Sequence, residues 1–90
     1  MVEHKVDADM IEDLYGVLAS VKTADDCRAL LADLCTQKEI EQMAQRIRAA
    51  RLLKAGKTYN QVIEETDISS ATLSRVSRCL QYGDGYRQYL

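Results

Sequence analysis

Arg75 and Arg78 stand three residues apart in the stretch Ser69–Cys79, SSATLSRVSRC, beside Ser70, Ala71, Thr72 and Ser74. A guanidinium offers paired donors that match the acceptor edge of guanine or a phosphate, and small hydroxyl and methyl side chains let a helix approach base edges closely. No acidic residue interrupts the stretch. On a helix, Leu73, Val76 and Leu80 fall inward by their spacing, which leaves Ser70, Ala71, Ser74, Arg75 and Arg78 outward. The chemistry on offer is contact with a polyanion that also displays donors and acceptors, as double-stranded DNA does in its major groove.

Such a helix needs a support that aims it. Immediately upstream, Thr58 followed three residues later by Gln61 is a capping-box signature, so a first helix is expected from Tyr59. Val62, Thr66, Ile68, Leu73 and Val76 then sit where two helices crossing at roughly 90–120° bury side chains against each other. Thr66-Asp67-Ile68 forms the turn, where glycine is usual and the short side chain of Asp67 can stabilise a left-handed backbone. Ile63 is large for a position beside the turn and is expected to push the two helices slightly apart. Ser69 caps the second helix. Lys57, Thr58, Tyr59, Asn60 and Gln61 at the first helix's N-terminus are placed to hold the phosphate backbone, with Glu64 and Glu65 turned away from it. Helix pairs of this kind also occur in bundles that touch no DNA, so a protein-interaction module is the competing reading.

Further elements follow from apolar periodicity. Ile11, Leu14, Tyr15 and Leu18, widened by Met10, Val17 and Val21, predict a helix over about residues 7–20. Thr23 and Asp26 open a second helix, with Cys27, Leu30, Leu31 and Leu34 facing inward. Thr36-Gln37-Lys38-Glu39 is a capping box for the longest helix, whose Ile40, Met43, Ala44, Ile47, Ala50 and Leu53 share one face, broadened by Leu52, before Gly56 stops it. Arg48 and Arg51 should be more exposed. Gly83-Asp84-Gly85 breaks the chain ahead of a short terminal segment. The expectation is an all-α fold in a single domain: dimerisation helices over 1–35, a long central helix over 36–57, a helix-turn-helix over 58–80 and a C-terminal segment over 81–90.

The net charge of −2 hides a division. Residues 1–41 hold 4 basic and 10 acidic residues, a net of −6, whereas residues 42–90 hold 8 basic and 4 acidic, a net of +4. Affinity for phosphate depends on the face presented, so the basic half can serve while the acidic half does not. A chain of 90 residues buries only about 60–65% of its unfolded surface, and the first two helices carry more apolar area than the helix pair can cover. Both facts favour a homodimer, which would set two reading helices near 34 Å apart on a palindromic site. Cys27, Cys35 and Cys79 match neither zinc nor redox spacing and read as small buried hydrophobes. His4, in a polar N-terminus, is a poor metal ligand or catalyst. Asp25, Asp26 and Asp33 lack any accompanying nucleophile, so neither an enzyme nor a cofactor is expected. No membrane span or secretory signal is legible, and a cytoplasmic location is expected.

From about Leu34 to Leu80 the chain resembles the Trp repressor superfamily, and more closely its YerC/YecD branch of small bacterial proteins. The strings that carry the resemblance are LCTQKEIEQMAQRIRAARLLKAGKTYNQVI and ISSATLSRVSRCL, with Thr36, the Arg46-Ile47-Arg48 triplet, Leu52-Leu53 before Gly56 and Ala71-Thr72-Leu73-Ser74-Arg75. The resemblance implies an intertwined homodimer and a DNA-binding transcriptional regulator of the repressor type. Thr36, Arg46 and Arg75 match positions that hold the tryptophan co-repressor in the Trp repressor. Val76 stands where that protein has glycine and Cys79 where it has serine, which puts bulk and a weak hydrogen-bonding thiol beside the ligand. Tryptophan is therefore disfavoured, and a different small-molecule effector or none is expected. On that reading Thr36 is a helix cap, Arg46 an exposed or paired helix residue and Arg75 a DNA contact.

Overall fold

A computed structural model describes residues 6–90. His4 lies outside the described residues. The chain divides between Cys35 and Thr36 into two compact units.

The first unit holds α1 (Ala8–Ala19) and α2 (Ala24–Leu34). Each begins where a side-chain acceptor meets an orphan backbone donor: the Asp7 carboxylate takes the Met10 N–H at 2.8 Å, and the Thr23 hydroxyl takes the Asp26 N–H at 3.0 Å. Asp25 and Asp26 in the first turn of α2 complement the helix dipole. Val21, Cys27, Leu30, Leu31 and Cys35 are half-buried. Met10, Ile11, Leu14, Tyr15, Val17 and Leu18 of α1 remain exposed, as does Leu34, which does not join the inward stripe of α2. All three cysteines are free and half-buried.

The second unit is built on α3 (Gln37–Lys54), which packs against both α4 (Tyr59–Thr66) and α5 (Ser70–Tyr82). Both halves of the capping box form at its start: the Thr36 hydroxyl accepts from the Glu39 N–H at 3.1 Å, and the Glu39 carboxylate accepts from the Thr36 N–H at 2.8 Å. That backbone donor, helped by the Thr36 hydroxyl, holds the Glu39 carboxyl below the usual carboxylate range. At the other end Gly56 adopts φ 92°, its N–H reaches Leu53 O at 3.0 Å and the Lys57 N–H reaches Leu52 O at 3.1 Å. This is a Schellman termination, and it needs a residue that takes positive φ without strain.

Ala49, Ala50, Val62, Leu73, Val76 and Ile68 form the buried core, with Leu52, Leu53, Ile63, Leu80, Tyr86 and Leu90 packed around it. Two adjacent alanines with no exposed surface let α4 and α5 come close to α3 together. Full burial of Val62, Leu73 and Val76 removes apolar surface worth about 1.5–3 kcal/mol for each side chain. The inner face of α3 differs from the one expected: Ala50 and Leu53 do face the core, but Ala49 joins them while Ala44 and Ile47 stay exposed. Ile63 is half-buried against the cluster, so its bulk is used in packing. α5 also runs two residues past the expected end at Leu80, and a short α6 (Gly85–Tyr89) follows.

Candidate nucleic-acid interface

The turn between α4 and α5 is held from three sides. Asp67 takes the left-handed conformation at φ 60° and ψ 21°, and its N–H closes α4 on Ile63 O at 2.9 Å. Thr66 donates its hydroxyl to Val62 O at 2.7 Å and accepts the Ile68 N–H at 3.3 Å. From α3, Gln45 donates its side-chain amide to Thr66 O at 3.1 Å. Ile68, only 3% exposed, plugs the turn into the core. The angle at which α5 leaves α4 is thus fixed by packing, by local hydrogen bonds and by one that reaches across 21 residues of chain.

Asp67 is the weak point of this turn. A non-glycine residue in the left-handed region is strained, and its carboxylate stands at the negative end of α4. Asp67→Gly should raise the unfolding free energy by about 1 kcal/mol, which chemical denaturation would read as a higher midpoint at unchanged slope. Asp67→Asn should recover only the electrostatic share, because it keeps the Cβ. A lower midpoint in the glycine variant would show that the carboxylate contributes more than it costs.

Ser69 caps α5, accepting from the Thr72 N–H at 3.2 Å and donating its hydroxyl to Thr72 Oγ1 at 2.9 Å. Both hydroxyls are therefore engaged with each other, and Thr72 is half-buried. Ser70, Ala71, Ser74, Arg75 and Arg78 are exposed along one side of α5, while Leu73 and Val76 are buried on the other. At the start of α4, the side chains of Thr58 and Gln61 close a second capping box, at 3.2 and 2.9 Å. Lys57, Tyr59 and Asn60 beside them are exposed, as are Glu64 and Glu65 farther along α4.

Arginines are left without ion pairs on α3 and α5. Among the described residues the ion pairs are Arg28 with Asp25 and Arg87 with Asp84, so Arg46, Arg48, Arg51, Arg75 and Arg78 have no ionic partner there. Unpaired guanidinium groups beside an acid-free helix are available to phosphate and base acceptors. Arg46 and Arg75 line one open cleft of about 330 Å³ with Cys79, Gly83, Gly85 and Tyr86. Thr36 does not line this cleft, and its hydroxyl is taken up by the cap of α3. Val76 is 2% exposed in the core. Among the described residues no group of His, Cys, Asp or Glu is set to hold a metal ion, and no helix is long and apolar enough to cross a membrane.

Comparison with known proteins places this architecture. The family model described as Trp repressor protein matches residues 9–90. The chain belongs to the Trp repressor family. YerC of Bacillus subtilis (strain 168), itself an uncharacterized protein, is 43% identical over 81 residues, covering 89% of this chain and 78% of the relative. Two solved structures share the fold at a TM-score of 0.83 each. A candidate Trp repressor from Staphylococcus aureus is 32% identical and covers 91% of this chain and 83% of its own. A TrpR-like protein from Eubacterium eligens ATCC 27750 is 36% identical, with 90% and 84% covered. Membership in the Trp repressor family makes the α4–α5 pair a helix-turn-helix of the DNA-binding, transcription-regulating kind. Two residues that matter to the geometry escaped the sequence reading: Gln45, whose contact with Thr66 is long-range, and Tyr86, which lies in the terminal segment beyond the motif.

Proposed function

We propose that this chain is a homodimeric, sequence-specific repressor that inserts α5 of each subunit into successive major grooves of double-stranded DNA. The observation that carries the reading is the face of α5 itself: Ser70, Ala71, Ser74, Arg75 and Arg78 exposed together, with no acid on the helix and no described ionic partner for either arginine. Thr72 contributes from the edge of that face. Lys57, Thr58, Tyr59, Asn60 and Gln61, with Ser69 at the start of α5, fix the helix on the phosphate backbone through side chains and through the N–H groups of Tyr59 and Asn60, which the capping box of α4 leaves unbonded. The uncovered apolar residues of α1 supply the surface for the second subunit, since a contiguous patch of that kind on a small helical chain marks an association site. Occupation of a promoter-overlapping site by such a dimer excludes polymerase, which is repression.

Fluorescence-anisotropy selection from random duplexes tests the reading. The expected product is a near-palindromic sequence whose binding weakens steeply as salt rises, because each phosphate contact releases counterions. Absence of any enriched sequence, with binding indifferent to salt, would favour the protein-interaction module. A second reading rests on the cleft shared by Arg46 and Arg75, where two guanidinium groups could hold the carboxylate of a small effector. Thr36 would have to come from elsewhere than this cleft, and buried Val76 with Cys79 in place of a hydroxyl makes tryptophan a poor fit. Calorimetry with and without the selected duplex separates the two modes, since an effector must couple reciprocally to DNA.

A further inference from the structure

The cleft between Arg46 and Arg75 has an aromatic wall, and the chain goes to some length to put it there. α5 is capped at its C-terminus by Gly83, whose N–H donates to Cys79 O at 2.8 Å, and a Cβ at Gly83 would stand 2.7 Å from that same backbone oxygen. Glycine alone fits without displacing the helix end. The chain reverses at this point, and Arg87 braces the reversal by donating from Nε to Gly83 O at 2.9 Å, with its guanidinium 3.7 Å from the Asp84 carboxylate. α6 then returns Tyr86 and Leu90 to the buried cluster, while Tyr89 stays 76% exposed. Tyr86 lines the cleft with Arg46 from α3 and with Arg75 and Cys79 from α5.

The two halves of α5 are anchored unequally. Its first half is secured by the Ser69 cap, Leu73 and Val76, all seated at the turn or in the core. In its second half only Ser77, Cys79 and Leu80 are half-buried, and Arg78, Gln81 and Tyr82 are exposed. A helix end with so little burial opens at low cost unless another element covers it. A five-residue helix has little stability of its own, so α6 depends on the packing of Tyr86 and Leu90 against the core, with the exposed Arg87 contacts adding little.

We propose that α6 is an intramolecular strut that fixes the C-terminal half of α5 against α3, with Tyr86 and Leu90 as positioning residues for DNA reading. The inference rests on the DNA-reading role of α5 proposed above. It makes the reading orientation of Arg75 and Arg78 a property of the chain itself, set by an aromatic it already carries.

The test uses the full chain and the variants Tyr86→Phe, Tyr86→Ala and Leu90→Ala, read by amide hydrogen exchange and by affinity for the selected and a scrambled duplex. Tyr86→Ala is expected to speed exchange in the second half of α5 and to lower selected-duplex affinity, each by about tenfold, with α3 and α4 exchange and scrambled-duplex affinity nearly unchanged. Tyr86→Phe keeps the ring and should restore both. Leu90→Ala carries the same signature at smaller size and serves if Tyr86→Ala unfolds. Exchange that rises evenly through the second unit, or an α5 as protected and as selective as in the unmodified chain, overturns the strut. An unmodified chain that selects no duplex overturns the DNA-reading role alone, and the exchange pattern still decides whether α6 holds α5.

Discussion

Leu73→Ala is expected to destabilise the second unit by about 3–5 kcal/mol, the range for a leucine removed from a core that cannot collapse onto the gap. Leu73 has no exposed surface and is the largest of the fully buried side chains. Its neighbours offer little relief. Ala49 and Ala50 have no rotamers to refill the space, and Val62 and Val76 are stiff at χ1 because of their branched Cβ. A domain of this size is held by about 5–13 kcal/mol in total, so the loss is about a quarter or more of its stability. Urea denaturation at one fixed chain concentration would measure it, because the proposed homodimer would make stability concentration-dependent. A loss under about 1 kcal/mol would mean that α5 repacks on α3 and that the alanine pair does not hold the two helices at a set distance. Truncation should also weaken the proposed DNA binding before it unfolds the chain, since Leu73 seats in the core the helix that exposes Ser74 and Arg75.

How much of this was legible in the sequence depends on how far each determinant reaches along the chain. Thr23, Thr36, Thr58 and Ser69 were readable as caps because a capping bond spans three residues, and all four accept the bond expected of them. Asp67 was readable as a left-handed turn residue for the same reason. The inner face of α3 was not. Its apolar residues cover more than one side of the helix, and periodicity ranks Ile47 above Ala49 by size. The core instead selects Ala49, because two helices must approach there and only a small side chain permits it. Ile40, Met43 and Ile47 are left for other contacts. Family membership was legible through strings of side chains at matching positions, whereas the cleft joining Arg46, Arg75 and Tyr86 depends on three elements meeting in space. Glycine spacing marked a break at Gly83, but that the chain turns back onto the core follows from packing alone.

Arg75→Ala is expected to cost binding at one base pair, and Arg78→Ala to cost it everywhere. The first residues of a reading helix approach the bases, and later ones leave the groove toward the backbone. Arg75 is the sixth residue of α5 and Arg78 the ninth, so the two arginines divide between these roles. A bidentate contact to guanine is worth about 1–3 kcal/mol of discrimination, and the proposed homodimer would lose it in both half-sites, which brings the expected loss to about 2–6 kcal/mol. It should fall on a single position of each half-site, so that all four bases there bind alike while the salt dependence stays as before. Loss of a phosphate contact is the opposite case: affinity falls for every duplex, and the slope against salt drops by about 2 for the pair of subunits. Neither variant should unfold the chain, because both side chains are exposed and neither has an ionic partner among the described residues, which limits the stability change to about 0.5 kcal/mol. A quantitative comparison of duplexes mutated one position at a time, repeated at several salt concentrations, measures both signatures together. Equal and position-independent losses for the two variants would place Arg75 on phosphate and leave base readout to Ser70, Ala71 and Ser74, whose contacts are shorter and less discriminating.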